Sequence, residues 1–115
     1  MDNRRTERRR KLTAFTPVRD GERGGLLGFL VNLTLQGALI RGQKPLERDA
    51  RVLLNIEFPD ILPGLSTRQM TIPARVARCG KDKEGAQDYN IGFEFEGVEP
   101  EQTMLLQALM DRYHY

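Results

Sequence analysis

The sequence predicts an all-β domain: a six-stranded antiparallel β-barrel, Greek-key-like and partly open, with one C-terminal α-helix over about 99–113. Three observations carry this expectation. Apolar and polar residues alternate with a period of two through much of the chain as far as Phe95, the mark of strands with one buried face. Clusters of Gly, Asp, Asn and Pro punctuate that alternation at short intervals, where turns are cheapest to make. Beyond Pro100 the spacing of apolar residues becomes helical.

Lys11 to Val18 alternates loosely, with Leu12, Ala14 and Val18 against Thr13 and Thr16, and Pro17 suits an edge or a bend. Asp20-Gly21-Glu22-Arg23-Gly24-Gly25 closes this strand with a turn. Leu26 to Leu35 reads as a long strand with Gly28 as a bulge or close contact, and Gly37 interrupts before Ala38-Leu39-Ile40 resumes. In Arg51 to Phe58 the residues Leu54, Ile56 and Phe58 share one face, and Pro59 to Gly64 is a loop. Met70 to Cys79 places Ile72, Ala74, Val76 and Arg78 on one face and Arg75 and Cys79 on the other. Gly80 to Asp88 is a charged turn, after which Ile91, Phe93 and Phe95 point inward from the last strand.

Pro100 suits the first position of a helix, and Glu99 and Glu101 favour the positive end of its dipole. Met104, Leu105, Ala108, Leu109 and Arg112 then form the stripe expected to pack on the sheet.

At 115 residues the chain is one domain with a modest core. Its net charge of +2 conceals an asymmetry: residues 1–11 carry +4 and the remainder −2. A localised anionic partner is implied, not a basic surface throughout. Cys79 is the single cysteine, so neither a disulfide framework nor a thiolate metal cluster is expected. No apolar run approaches bilayer length, and Leu12 to Pro17 is not the apolar core of a signal peptide, so a cytoplasmic protein without membrane insertion is expected. His114, the sole histidine, lacks partners for a metal site or a nucleophile relay. Gly21, Gly24 and Gly25 precede no Lys-Ser/Thr pair of a phosphate loop. No catalytic residues, no metal and no cofactor are assigned, and no enzymatic activity is expected.

Two segments remain that carry chemistry. Arg4, Arg5, Arg8, Arg9, Arg10 and Lys11 crowd the N-terminus, with arginine outnumbering lysine five to one. A guanidinium is a planar fork that can grip a phosphate or the O6/N7 edge of guanine, or stack on a purine. Taken alone, such an arm also suits a solvated tail or non-specific contact with RNA or DNA. The second segment is Asn32-Leu33-Thr34-Leu35-Gln36-Gly37. Extended backbone puts Asn32 and Thr34 on one face, and Gly37 supplies a positive φ or an open approach to the main chain. An ordinary turn with Asn32 and Thr34 capping local backbone accounts for the same residues.

Together the segments resemble the signature of the PilZ domain family, RxxxR followed by [DN]xSxxG. Arg5-Thr6-Glu7-Arg8-Arg9 is similar to the first half and Asn32 to Gly37 to the second, with 23 positions from Arg9 to Asn32. Gly37 to Ile40, Ile91 to Phe95 and the closing helix extend the likeness over nearly the whole chain. Thr34 stands where serine is usual, keeping the hydroxyl and adding a methyl. Arg4 to Arg8 satisfies the spacing as well, but the Arg5 to Arg9 frame leaves Arg4-Arg5 as the doublet common in the family.

The resemblance implies a receptor for cyclic di-GMP. Residues 1–11 would be a flexible arm and residues 12–115 the barrel with its helix. The ligand would be held by Arg4, Arg5, Arg8, Arg9 and Arg10 of the arm and by Asn32, Thr34 and Gly37 of the barrel. An arginine just ahead of RxxxR, here Arg4, implies two stacked ligand molecules per chain. Ordering of the arm on binding would be read by an unidentified effector protein, with no specific nucleic acid as partner. A small basic-armed β-barrel that binds RNA or DNA is the alternative.

Overall fold

In the computed structural model, residues 16–58, 68–81 and 88–113 are described. Six strands are followed by one helix: β1 (Pro17–Asp20), β2 (Leu26–Leu33), β3 (Gly37–Gly42), β4 (Arg51–Glu57), β5 (Gln69–Lys81), β6 (Tyr89–Phe95) and α1 (Pro100–Tyr113). The strands form a closed antiparallel barrel in the order β1-β2-β3-β6-β5-β4. β3 lies beside β6 at the far edge of the β4-β5-β6 meander, a Greek-key arrangement. The expected opening is absent. β1, only four residues long, pairs with β2 through Pro17, Val18 and Arg19 and with β4 through Val18, Arg19 and Asp20. That double pairing leaves no free sheet edge there.

The alternation places the core where the sequence puts it, with two exceptions. Leu54, Ile56 and Phe58 of the β4 segment, Ile72, Ala74 and Val76 of β5, and Ile91 and Phe93 of β6 are buried inside, joined by Val18, Leu30, Leu33, Ala38 and Ile40. Phe95 is half-buried against this cluster. Arg78 is the first exception. The β5–β6 register slips between Val76 and Arg78, so Ala77 has no partner, Arg78 lies opposite Gly92 and Cys79 opposite Ile91. One extra residue reverses the faces of everything beyond it. Arg78 is therefore exposed outside and Cys79 packs against the core.

The helix gives the second exception. Leu106 and Leu109 are fully buried in the barrel core, whereas Met104 is 72% exposed. Leu105, Ala108 and Met110 flank the buried pair. The stripe is thus turned by roughly a quarter of a helical turn from the one expected, because the helix is fixed at its start. Gln102 Oε1 accepts from Glu99 N at 3.1 Å, and Gln102 Nε2 donates to Thr71 O at 2.7 Å. The first contact is half of a capping box and the second ties the first turn to β5. Of the two roles expected of Gly28, bulge or close contact, it has the second: a Cβ there would stand 2.4 Å from Arg41 O. The bulges of β2 fall at Leu27, against β1, and at Val31, against β3.

Candidate functional site

Asn32 ends β2 on the outer wall of the barrel. The slip at Val31 places Leu30 inside and Asn32 outside, opposite Leu39. From there one row of outward positions crosses four strands: Asn32 on β2, Leu39 on β3, Gly92 on β6 and Arg78 on β5. Both bulges are needed for this row, since each resets the phase of its strand so that a polar side chain faces outward.

Thr34 to Gly37 make the turn between β2 and β3. Thr34 N donates to Gly37 O at 2.9 Å, and Thr34 Oγ1 accepts from Gln36 N at 3.2 Å and Gly37 N at 3.1 Å. Phe95 N donates to Gln36 O at 2.8 Å, anchoring the turn to the end of β6. The threonine hydroxyl thus shapes the turn, and serine would keep every one of these contacts. Asn32 Oδ1 accepts from Leu33 N at 2.9 Å. Its Nδ2 has no partner among the described residues and stays available to a ligand.

Of the two roles expected of Gly37 the structure excludes the positive φ, and it adds a third. Its φ is not positive, and the room left by its missing side chain is filled by β6, because a Cβ would come within 2.2 Å of Phe93 O. A glycine is required here for the strands to pair. Gly92 is the position where the wall itself is bare. The three atoms nearest to a Cβ there all belong to Arg78, with Cγ and Nε both at 3.2 Å. The Arg78 side chain lies over the backbone of β6 at Gly92 and buries it.

These residues line a shallow depression of about 360 Å³ that joins Asn32, Thr34, Gly37, Arg78, Gly92 and Glu94. A larger hollow, about 640 Å³, runs along β2 past Leu26, Phe29, Arg41 and Lys44, but no residue of the Asn32–Gly37 segment lines it. The motif chemistry is in the smaller one. Glu94 would repel an anion from the depression were it not engaged. Arg75 Nη2 donates to Glu94 Oε1, and Arg75 Nη1 donates to Asp49 Oδ1 at 2.8 Å. The hydrogen bond to Glu94, and next the one to Asp49, hold the Arg75 guanidinium above its ordinary pKa. The carboxylate is neutralised where it stands.

Arg4, Arg5, Arg8, Arg9 and Arg10 lie outside the described residues, as do Leu12 and Ala14 of the expected first strand, Pro59 to Gly64 and His114. Gly92 and Glu94 are lining residues that sequence reasoning did not assign; for Arg78, as for Arg75, the sequence left open a place on the ligand surface or the plainer role of keeping a strand edge soluble. A signal for Arg78 was present: in phase with Ile72, Ala74 and Val76 it would have been buried in the barrel, a costly place for an unpaired guanidinium. Among the described residues no group of three or more His, Cys, Asp or Glu could hold a metal ion, and no helix is long and apolar enough to cross a membrane.

Comparison with known proteins agrees with the architecture. No curated protein matches the sequence. Solved structures do. The PilZ domain with c-di-GMP of YcgR from Escherichia coli is similar at TM-score 0.60 and 14% identity, over 87% of this chain and 81% of that one. The Bacillus subtilis inhibitor of motility (MotI/DgrA) is similar at TM-score 0.67 and 20% identity, over 86% of this chain but only 46% of its own. The PilZ domain of CeSA from a cellulose-synthesizing bacterium is similar at TM-score 0.54 and 16% identity, over 89% and 93%. At such identities the likeness is one of fold. The sequence itself matches the PilZ domain model over residues 2–112, and the chain belongs to the PilZ domain family.

Proposed function

We propose that this chain is a cyclic di-GMP receptor that clamps its ligand between the N-terminal arginines and the outer wall of the barrel. The observation that carries the reading is the depression that joins Asn32, Thr34 and Gly37 on that wall. The attachment of the arm supports it. Leu30 N donates to Thr16 O at 3.0 Å, so the chain enters the barrel beside β2, the strand that bears Asn32. Arg10 stands six residues before Thr16, a reach of up to about 20 Å. The RxxxR arginines therefore need no long linker to meet a ligand lying against β2 and β3.

The chemistry fits a flat dianion bearing guanines. Arg5, Arg8 and Arg9 supply forks for phosphate and the guanine Hoogsteen edge, with Arg4 and Arg10 beside them. Asn32 offers amide donors from the wall, and Thr34 sets the shape of the rim. Binding neutralises the clustered arginines and orders the arm over the ligand, and the covered surface is what an effector protein reads. Residues 1–11 act as this arm and the rest of the chain as its platform.

Isothermal titration of the full chain with cyclic di-GMP, cyclic di-AMP and linear pGpG tests the reading. Micromolar binding that prefers cyclic di-GMP is expected. No heat of binding at micromolar protein would overturn it. Binding to RNA or DNA that falls steeply with salt and ignores base identity would point to nucleic acid instead.

A further inference from the structure

We infer that Arg78 is a ligand-contacting residue of this site, gripping the anionic dinucleotide from the barrel wall opposite the arm. The inference deepens the cyclic di-GMP reading and rests on it. Three observations converge. Arg78 lines the same depression as Asn32, Thr34 and Gly37, in one cross-strand row with Asn32 and Leu39. Its side chain lies over Gly92, whose missing Cβ leaves the room it occupies.

The third observation is its lack of a counter-charge. Arg19 is paired with Glu57 at 3.0 Å, Arg51 with Glu96 at 3.7 Å, and Arg75 with both Asp49 and Glu94. Arg78 makes no ion pair among the described residues, although Glu94 lines the same depression and is committed to Arg75. A strand arginine that only kept the surface soluble would need neither the glycine beneath it nor the bulge at Ala77 that turns it outward. A guanidinium held over bare backbone is instead placed to meet a phosphate or the edge of a guanine lying against β6.

The test is titration of the full chain with cyclic di-GMP, comparing wild type with Arg78→Ala, Arg78→Lys, Gly92→Ala and the Arg78→Ala/Gly92→Ala double variant. Arg51→Ala, which removes the same charge from an exposed site, is the control. Loss of a charge-assisted contact predicts affinity for Arg78→Ala weaker by about tenfold or more. Arg78→Lys should recover only part of it, and Arg51→Ala should stay within about twofold. Gly92→Ala displaces the Arg78 side chain, so it should weaken binding alone and add little in the double variant. Wild type that binds while Arg78→Ala binds equally well overturns this inference and leaves the receptor reading standing. Wild type that binds no cyclic di-GMP overturns both. A melting temperature for each variant separates lost contact from lost fold.

Discussion

Arg5 and Arg9 stand at least seven residues ahead of Thr16, the first described residue, whose carbonyl accepts from Leu30 N of β2. Replacing either with alanine should therefore weaken cyclic di-GMP binding without disturbing the fold. A charge-assisted hydrogen bond contributes about 1.5–3 kcal/mol, so a loss of roughly tenfold or more per arginine is expected by calorimetry. Stability should change by under about 0.5 kcal/mol. Thr34 separates differently. Its hydroxyl accepts from two backbone N–H groups of the turn, so Thr34→Ser should bind as well as wild type or better. Thr34→Ala should bind more weakly, with a cost to stability near 1 kcal/mol because an exposed turn can turn to water instead. Equal affinity of Thr34→Ala and wild type would mean that the turn's shape does not matter to the ligand. The Asn32–Gly37 segment could be read from the sequence because its residue types are short, polar and close together. Arg78 could not be read so directly, since its role depends on a partner strand and on a one-residue slip that leaves no mark of its own.

At the scale of elements, alternation located five of the six strands, and the helix began where Pro100 and the flanking glutamates put it. The strand expected over residues 11–18 shares only Pro17 and Val18 with β1, which runs on to Asp20, and its residues 11–15 lie outside the described residues. What alternation could not give was phase across a bulge. It missed the slips at Leu27, Val31 and Ala77, because a bulge is fixed by pairing with a neighbour and not by the local sequence. The helix stripe failed for a related reason: Gln102 binding to Thr71 O sets the rotation, and that contact spans 31 positions. Gly37 is where element and site meet. Since a side chain there would strike Phe93 O, Gly37→Val should separate β3 from β6 and cost about 1–3 kcal/mol. The melting temperature should fall by several degrees, and any loss of ligand affinity should accompany loss of fold. A variant that melts like wild type but cannot bind would return Gly37 to the role of a ligand floor.

For the whole molecule the question is stoichiometry. Arg4 directly precedes the Arg5–Arg9 pair, and a further guanidinium at that point can satisfy a second dinucleotide stacked on the first. Calorimetry is expected to give two cyclic di-GMP molecules per chain, reduced toward one by Arg4→Ala. A wild-type stoichiometry of one, unchanged by that substitution, would exclude the stacked pair while leaving single-ligand binding intact. Electrostatics favour this count. The barrel portion from residue 12 onward carries −2 and the first eleven residues +4, so anions gather at the arm and not over the barrel at large.

The unpaired Ala77 bears on how such a site could be lost in descent. Every substitution considered above removes one contact and leaves the rest in place. Deleting Ala77 would leave Val76, Arg78 and Cys79 opposite Phe93, Gly92 and Ile91 as they now stand, with strict alternation restored and Arg78 still facing out. Straightening β5 at full length would do the opposite: with Ala77 set against Gly92, Arg78 would fall opposite Ile91 and turn into the barrel, and Cys79 would turn out to water. In this barrel the reading frame of the pleat is itself heritable information, and Ala77 is a residue whose loss leaves that frame intact while its pairing would break it.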